Sequence, residues 1–356
     1  MAENTCNERG INRRTFLRDT AALGASAGLL ATLARNAGAT TYGEHGVANA
    51  FAKPTVDGIG LQLYTVGDQM RADFDGTIEK VAQIGYKQVE FAGYNNKKAE
   101  EVRALLDRLK LRSPSTHIGM DQLRKDLDAR AAYALTVGHE YITIPSLARS
   151  ETPMNTVDTW KRIADECNTM GAALKAKGLK LAFHSHTGEY VDVGGGQTGL
   201  DVFIANTDPA LFTFQMDLGW ARVANQDPVA WFKKYPGRFK MWHVKDFEGL
   251  KAAQDRETIT LANAAKEQPR PPAAPGDVPP AGRGGRGAAG GAPPTPQPGR
   301  PSPIGAGDID FTPILAAWKV SGMQYFFVEQ DGASGWAGGS LACVATSYTN
   351  LKKLVG

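Results

Sequence analysis

The stretch TVDTWKRIADECNTMGAALKAKGLKLAFHSH, residues 156–186, contains one complete helix–glycine–strand unit. Residues 156–177 have a helical pattern, and Gly178 stands where a helix commonly ends in the left-handed conformation. Residues 179–186 form a short apolar run that is typical of a buried strand. The same order of helix, glycine and strand recurs in IGYKQVEF, residues 84–91. Units of this kind predict a fold in which helices and strands alternate.

Extending this pattern along the chain predicts eight strands, at 58–66, 87–93, 111–119, 140–147, 179–186, 211–220, 239–246 and 324–331. Helices are predicted between them at 77–84, 97–110, 124–135, 156–177, 228–234 and 312–320. Eight β/α units within residues 57–354 predict an α/β fold, the (β/α)8 TIM barrel, for which ~250 residues is typical. A doubly wound open sheet is the alternative. It would need a glycine-rich phosphate loop after the first strand, where the chain has YTVGDQMRADFD instead.

Residues 269–303, between predicted strands seven and eight, hold twelve of the twenty prolines and few apolar side chains beyond alanine. This composition predicts a disordered low-complexity insertion within the barrel. The positive charge of the chain is concentrated in this segment and in residues 1–39, so the remaining chain is close to neutral or slightly acidic. That balance argues against a nucleic-acid partner.

The first 39 residues resemble a twin-arginine export signal. Arg13 and Arg14 precede Phe-Leu, an Ala/Leu/Gly-rich run covers 21–34, and AGA at 37–39 offers the small residues that a signal peptidase reads. The resemblance predicts a signal peptide at 1–39, an N-terminal extension at 40–56, and a periplasmic or secreted protein. It also implies no stable membrane association after cleavage. The alternative is an amphipathic first helix with a chance Arg-Arg pair.

Polar side chains collect at the carboxyl ends of the predicted strands, where TIM barrels carry their chemistry. Because strand side chains alternate, His184 and His186 face the same way, and so do His243 and Lys245. The full set is Gln62, Tyr64, Glu90, His117, His184, His186, Asp217, His243, Lys245, Glu329 and Asp331. Each residue alone has a simpler interpretation, such as a hydrogen-bonded core histidine or a helix cap at Asp217. Together, buried carboxylates and imidazoles need a compensating cation, and the mixture suits Mn²⁺, Co²⁺, Zn²⁺ or Mg²⁺.

Six motifs in this order resemble the xylose isomerase-like barrel superfamily, in particular its sugar phosphate isomerase/epimerase group. They are GIGLQLYTV (58–66), FHSHTGEY (183–190), MDLGW (216–220), HVKD (243–246), GAGDIDF (305–311) and FVEQD (327–331). The resemblance covers about 57–250 and 304–354. It implies metal ligands at the ends of strands five to eight, which fall on His184, Asp217, His243 and Glu329. Many relatives have a glutamate at the position of His184, and Glu189 is the alternative residue to complete the site.

The replacement of that glutamate disfavours two-base epimerisation, but it leaves proton abstraction next to a carbonyl open. We expect Glu329 to act as the base, with His184 or Lys245 returning the proton, and His186 as a further candidate for that step. Tyr64, Glu90, His117, His186 and Trp220 are the expected substrate-binding residues.

The sequence thus predicts a metal-dependent sugar isomerase or epimerase that acts on a keto sugar or oxidised glycoside through an enediolate. The first alternative is a lyase or dehydratase that eliminates a β-oxygen from a 3-keto-glycoside or inosose, because the same enediolate serves both outcomes. The second is a non-catalytic periplasmic sugar-binding protein. A metal-dependent nuclease of the same broad fold would need a basic surface. A small-molecule sugar is the expected partner, and a homo-oligomer is compatible with the sequence.

Overall fold

The computed structural model describes residue 55 and residues 58–147, 154–267 and 299–356. The predicted signal peptide, almost all of the predicted extension and residues 269–298 of the predicted insertion lie outside the described residues.

Eight parallel strands close into a barrel, in which the first strand pairs with the last. The TIM-barrel prediction is therefore confirmed, and each of the eight predicted strands contains one barrel strand. The barrel strands are β1 (Ile59–Gln62), β2 (Gln88–Phe91), β3 (Arg112–His117), β4 (Tyr141–Ile144), β5 (Lys180–Ser185), β6 (Phe212–Asp217), β7 (Phe239–Val244) and β10 (Tyr325–Val328). They pair in the order β1-β10-β7-β6-β5-β4-β3-β2, and β2 pairs with β1. β8 (Asp246–Glu248) and β9 (Arg300–Ser302) form a separate two-stranded sheet.

The helices lie between the barrel strands and after the last one. They are α1 (Gly67–Ala72), α2 (Phe74–Ile84), α3 (Ala99–Leu109), α4 (Met120–Val137), α5 (Val157–Ala176), α6 (Gly199–Asn206), α7 (Leu218–Val223), α8 (Pro228–Lys234), α9 (Leu250–Ala264), α10 (Thr312–Ala316), α11 (Trp318–Ser321) and α12 (Gly339–Val355). The helix predicted at 312–320 is two short helices, α10 and α11. Five helices were not among those predicted: α1, α6, α7, α9 and α12. Within the described ranges, no helix has the length and apolar composition needed to cross a membrane.

One end of the predicted disordered insertion is ordered. Arg300–Ser302 forms β9 and pairs antiparallel with β8, with Glu248 opposite Arg300. The Arg300 guanidinium lies 3.9 Å from the centre of the Trp336 ring and 3.1 Å from Glu248. The prediction of disorder is wrong for these residues, because a low-complexity composition does not reveal a pairing partner more than fifty positions away.

The barrel interior is apolar at its amino-terminal end, where the side chains of Tyr141, Ala182, Met241, Tyr325 and Phe327 pack together. Gly60 makes room for this layer, since a Cβ atom there would lie 2.4 Å from Cδ1 of Phe327. Above the apolar layer the inward-facing positions become polar. This change along the barrel axis places the candidate site at the carboxyl ends of the strands.

Candidate metal and catalytic site

Four strands bring the predicted ligands together. His184 is on β5, Asp217 ends β6, His243 is on β7, and Glu329 directly follows β10. One ligand atom from each residue lies within 4.8 Å of the others, and all four side chains are buried. Parallel strands end on one face of the barrel, and the inward parity of these positions directs the side chains to one point.

The donor set fits a divalent ion. Asp217 Oδ1 accepts a hydrogen bond from the Trp220 backbone N–H at 2.8 Å, so this residue does cap α7, as the simpler interpretation allowed. Asp217 Oδ2 is buried, and within the described part of the chain it forms an ion pair with Lys245 Nζ at 2.9 Å but no hydrogen bond of regular geometry. His184 Nε2 lies 3.8 Å from that oxygen. Two buried imidazoles and two buried carboxylates are ligands that suit Zn²⁺, Co²⁺ or Mn²⁺.

The ammonium of Lys245 lies against the same carboxylates. Its Nζ is 2.9 Å from Asp217 Oδ2, 3.1 Å from Glu329 Oε2 and 2.6 Å from Asp331 Oδ2. Burial disfavours the charged form, but the three carboxylates outweigh it and raise the pKa of Lys245 well above its usual value. The site therefore contains a buried proton donor next to two of its candidate metal ligands.

His243 is held between two carboxylates, with Nδ1 2.8 Å from Glu329 Oε2 and Nε2 2.6 Å from Glu90 Oε2. Burial opposes its charge, yet Glu329 and Glu90 raise the pKa of His243 to about 10. Burial also opposes ionisation of Glu329, but Lys245 and His243 lower the pKa of that carboxyl well below its usual value. Asp217 differs, because burial raises its pKa to about 6 although Lys245 opposes this.

Glu90 was expected to bind substrate, and the structure gives it a different environment. It is fully buried, and Oε2 accepts from Gln62 Nε2 while Oε1 accepts from Gln215 Nε2, each at 2.8 Å. Both carboxylate oxygens are thus used by side chains below the cluster. Gln62 was in the predicted set of strand-end polar side chains but was given no role, and Gln215 was not in that set, although it shares the inward parity of Asp217.

The remaining histidines lie around the cluster. Burial and the neighbouring His243 lower the pKa of His184 well below its usual value, and burial with Lys245 lowers that of His186 to about 4. Both imidazoles are therefore neutral near neutral pH. His117 Nε2 lies 3.0 Å from Gln215 Oε1 and 3.2 Å from Glu90 Oε2, which places it with the polar layer below the cluster.

Two predicted aromatic residues have different positions. Trp220 lies at the site, with its ring centre 4.9 Å from Lys245 Nζ and 6.3 Å from that of His186. Tyr64 is 56% exposed, and within the described residues no hydrogen bond or ring contact joins its side chain to the cluster. Trp220 can therefore line a bound ligand without rearrangement, whereas the structure supplies no contact that assigns Tyr64 to the site.

Comparisons with known proteins agree with this architecture. The family model described as the xylose isomerase-like TIM barrel matches residues 78–343. A curated relative, the inosose dehydratase of Clostridium beijerinckii, is 24% identical over 191 residues, which cover 49% of this chain and only 63% of the relative.

Solved structures show the same fold at low identity. A sugar phosphate isomerase/epimerase from Parabacteroides distasonis has a TM-score of 0.61 at 19% identity, covering 82% of this chain and 96% of that chain. The IolI protein with a bound zinc atom has a TM-score of 0.53 at 12% identity, covering 83% and 97%. Because the family model spans most of the barrel, from α2 to α12, this chain belongs to the xylose isomerase-like TIM barrel family.

Proposed function

We propose that the protein is a metal-dependent lyase that removes a proton next to a carbonyl and eliminates a β-oxygen, with an inosose-like keto-polyol or an oxidised glycoside as substrate. The observation that carries this proposal is the pairing of Glu329 with the Lys245 ammonium, 3.1 Å apart in the buried site. A carboxylate and a proton donor side by side are the two groups that elimination requires. The curated relatives named inosose dehydratase support the same reaction class.

The ion would be held by His184, Asp217, His243 and Glu329. When bound, a divalent ion supplies Lewis acidity, which polarises a carbonyl and stabilises the negative charge that develops as the adjacent proton leaves. The IolI protein, which has the same fold, contains zinc.

Glu329 and Lys245 divide the proton transfers between them. Glu329 is ionised near neutral pH and takes the carbon-bound proton, while Lys245 gives its proton to the leaving oxygen. The second transfer removes the positive charge that keeps the pKa of Glu329 low. Glu329 then holds the proton that it has received more firmly, so the two transfers assist each other.

Elimination fits the strand-five position better than two-base epimerisation, which the sequence already disfavours. Epimerisation at one carbon needs two opposed acid/base groups, and where many relatives have a glutamate this chain has His184, whose pKa burial lowers well below its usual value. An isomerase or epimerase shares the first proton abstraction and remains the second candidate. The fold likeness to a sugar phosphate isomerase/epimerase is its support.

The test uses the full chain, freed of metal with a chelator and reloaded with Mn²⁺, Co²⁺, Zn²⁺ or Mg²⁺. We expect an inosose or a 3-keto-glycoside to lose its β-substituent, detected by mass and by absorbance of the unsaturated ketone, only in the loaded protein. The Lys245→Met variant should lose activity about 100-fold or more. It should still bind the ion, because removing the ammonium frees two carboxylates.

Three outcomes would contradict the proposal. Solvent deuterium incorporation with an epimerised or isomerised product would favour the second candidate. Ligand binding without turnover would indicate a sugar-binding protein. An equal metal content in the wild type and an Asp217→Ala, His243→Ala double variant, measured by elemental mass spectrometry, would place the ion elsewhere.

A further inference from the structure

The polar layer directly below the metal cluster contains a chain of hydrogen bonds whose donors and acceptors are fixed one after another. The chain begins at the Tyr64 backbone N–H, which can only donate and which bonds to Gln62 Oε1 at 3.0 Å. The Gln62 amide nitrogen must therefore point the other way, and it lies 2.8 Å from Glu90 Oε2. Glu90 thus receives a donor whose orientation is set by the backbone.

The hydrogen bond with Glu90 in turn fixes the orientation of the Gln215 side-chain amide. Side-chain nitrogens of four residues surround the carboxyl group of Glu90, namely Gln62, His117, Gln215 and His243. A carboxyl group surrounded in this way acts as an acceptor, so Gln215 presents its NH₂ group to Glu90 Oε1 and its carbonyl oxygen to the opposite side.

Gln215 in turn determines the proton position on His184. Gln215 Oε1 lies 3.1 Å from His184 Nδ1 and 3.0 Å from His117 Nε2. A carbonyl oxygen only accepts, so His184 carries its proton on Nδ1 and leaves Nε2 with a lone pair. Nε2 is the nitrogen that lies 3.8 Å from Oδ2 of Asp217, another candidate ligand.

Glu90 determines the proton position on His243 directly. His243 Nε2 donates to Glu90 Oε2 at 2.6 Å, and Nδ1 faces Glu329, which belongs to the candidate ligand set. When an ion binds, the hydrogen bond to Glu90 keeps the proton on Nε2, so Nδ1 is the nitrogen that is free to coordinate the ion. Carboxylates and carbonyls behind histidine ligands commonly select the coordinating nitrogen in this way.

We propose that Glu90 and Gln215 are positioning residues that assign the tautomers of both histidine ligands, so that His243 Nδ1 and His184 Nε2 face the divalent ion. Glu90 then acts below the site rather than on the substrate, and Gln215 gains a role that its amide chemistry explains. This inference rests on the proposed metal site.

The experiment compares Glu90→Gln, Gln215→Met and a matched control, Ser115→Ala. Ser115 also lies inside the barrel and forms a buried hydrogen bond with Thr143 at 2.9 Å, but no bond connects it to His184 or His243 within the described residues. Dissociation constants for Zn²⁺ and Co²⁺ are measured by competition with a chelator. We expect both test variants to bind 10- to 100-fold more weakly than the wild type, and Ser115→Ala to bind within about twofold of it.

A spectroscopic readout separates positioning from a general loss of structure. The chain has six histidines, so nitrogen-15 labelling of histidine alone gives a small set of ring signals that report which nitrogen carries the proton. In the metal-free wild type, His184 should be protonated on Nδ1, and Gln215→Met should shift it towards the Nε2 form. Glu90→Gln introduces an NH₂ group next to His243, and we expect the Nε2 proton to be lost there.

The outcomes distinguish the two proposals. If the wild type binds the ion and both test variants bind it equally well with unchanged tautomers, the positioning roles are wrong and the metal site stands. If the wild type binds no ion, the proposed function and this inference both fail. Should Glu90→Gln not fold, the Gln215→Met result decides, because Gln215 is the described residue that hydrogen-bonds to His184 Nδ1.

Discussion

Glu189 is a buried carboxyl group outside the four-residue cluster, and it makes the stability of the protein depend on pH. It is 6% exposed, its Oε2 accepts from the His186 backbone N–H at 2.7 Å, and burial raises its pKa to about 7. Between pH 4.5 and 7 the folded state holds a proton that the unfolded state has released. The free energy of unfolding therefore falls as the pH rises through this window.

We expect Glu189→Gln, which resembles the protonated form, to gain stability relative to the wild type at higher pH. The gain should be about 2 kcal/mol larger at pH 8 than at pH 5. Urea unfolding of both proteins at the two pH values, with a chelator present, measures the difference. The same stability change at pH 5 and pH 8 would show that the Glu189 carboxyl titrates normally.

The sequence predicted which side chains face the barrel interior wherever the two-residue period of a strand alone determines this. His184, Asp217, His243 and Glu329 share the inward parity, and the structure brings them together as expected. The environment of Glu90 could not be predicted in this way. It depends on contacts among β1, β2, β6 and β7, and the lengths of those contacts appear only once the barrel is closed.

The loop between β9 and α10 is attached to the start of β8, just after β7, through one carboxylate. Asp246, next to Lys245, is buried and accepts backbone hydrogen bonds from Phe247, Gly305, Gly307 and Ile309. A Cβ atom at position 307 would lie 2.3 Å from Asp246 Oδ1, so the close approach of the loop requires glycine there. This arrangement fixes the backbone that carries Lys245 into the site.

We expect Asp246→Asn to destabilise the fold by about 3 kcal/mol, because the NH₂ group that replaces one carboxylate oxygen cannot accept hydrogen bonds and would face buried backbone N–H donors. Asp308→Ala is the matched control. Among the described residues its carboxylate accepts one hydrogen bond, from the backbone N–H of Leu250, and its loss should cost about 1 kcal/mol. Urea unfolding measures both values, and hydrogen exchange should increase at 304–309 only in Asp246→Asn. Equal costs in the two variants would contradict the role of Asp246.

Elements were predictable from sequence where periodicity and length agreed, as in the helix–glycine–strand unit at 156–186. They were missed where a long-range partner creates the element, or where a strand turns into a helix without a change in apolar pattern. β9 exists because β8 pairs with it, and α7 begins directly at the end of β6, where the sequence MDLGW continues an apolar strand pattern without a break. Local composition contains neither the pairing nor the turn.

At the scale of the whole molecule, the candidate ligands belong to four consecutive strands of the closed barrel, in the order β5, β6, β7 and β10. They lie between positions 184 and 329 of the chain, so the unfolded chain has no preformed site. An ion that binds only the folded state stabilises it by about 2.7 kcal/mol at 100 times its dissociation constant. Export through the predicted signal at 1–39 stays a prediction, because those residues lie outside the described part of the chain.

We therefore expect the full chain to melt about 5 °C higher when saturated with its preferred ion. Because two of the four ligands are imidazoles, Zn²⁺ and Co²⁺ should raise the melting temperature more than Mn²⁺, and Mg²⁺ least. Differential scanning calorimetry of the chelator-treated protein with each ion gives the order. Asp217→Asn should reduce the shift for every ion, because it removes the negative charge of one of the two carboxylate ligands. An undiminished shift in that variant would mean that the ion binds outside the strand-end cluster, and the order of the four metals would then describe a different site.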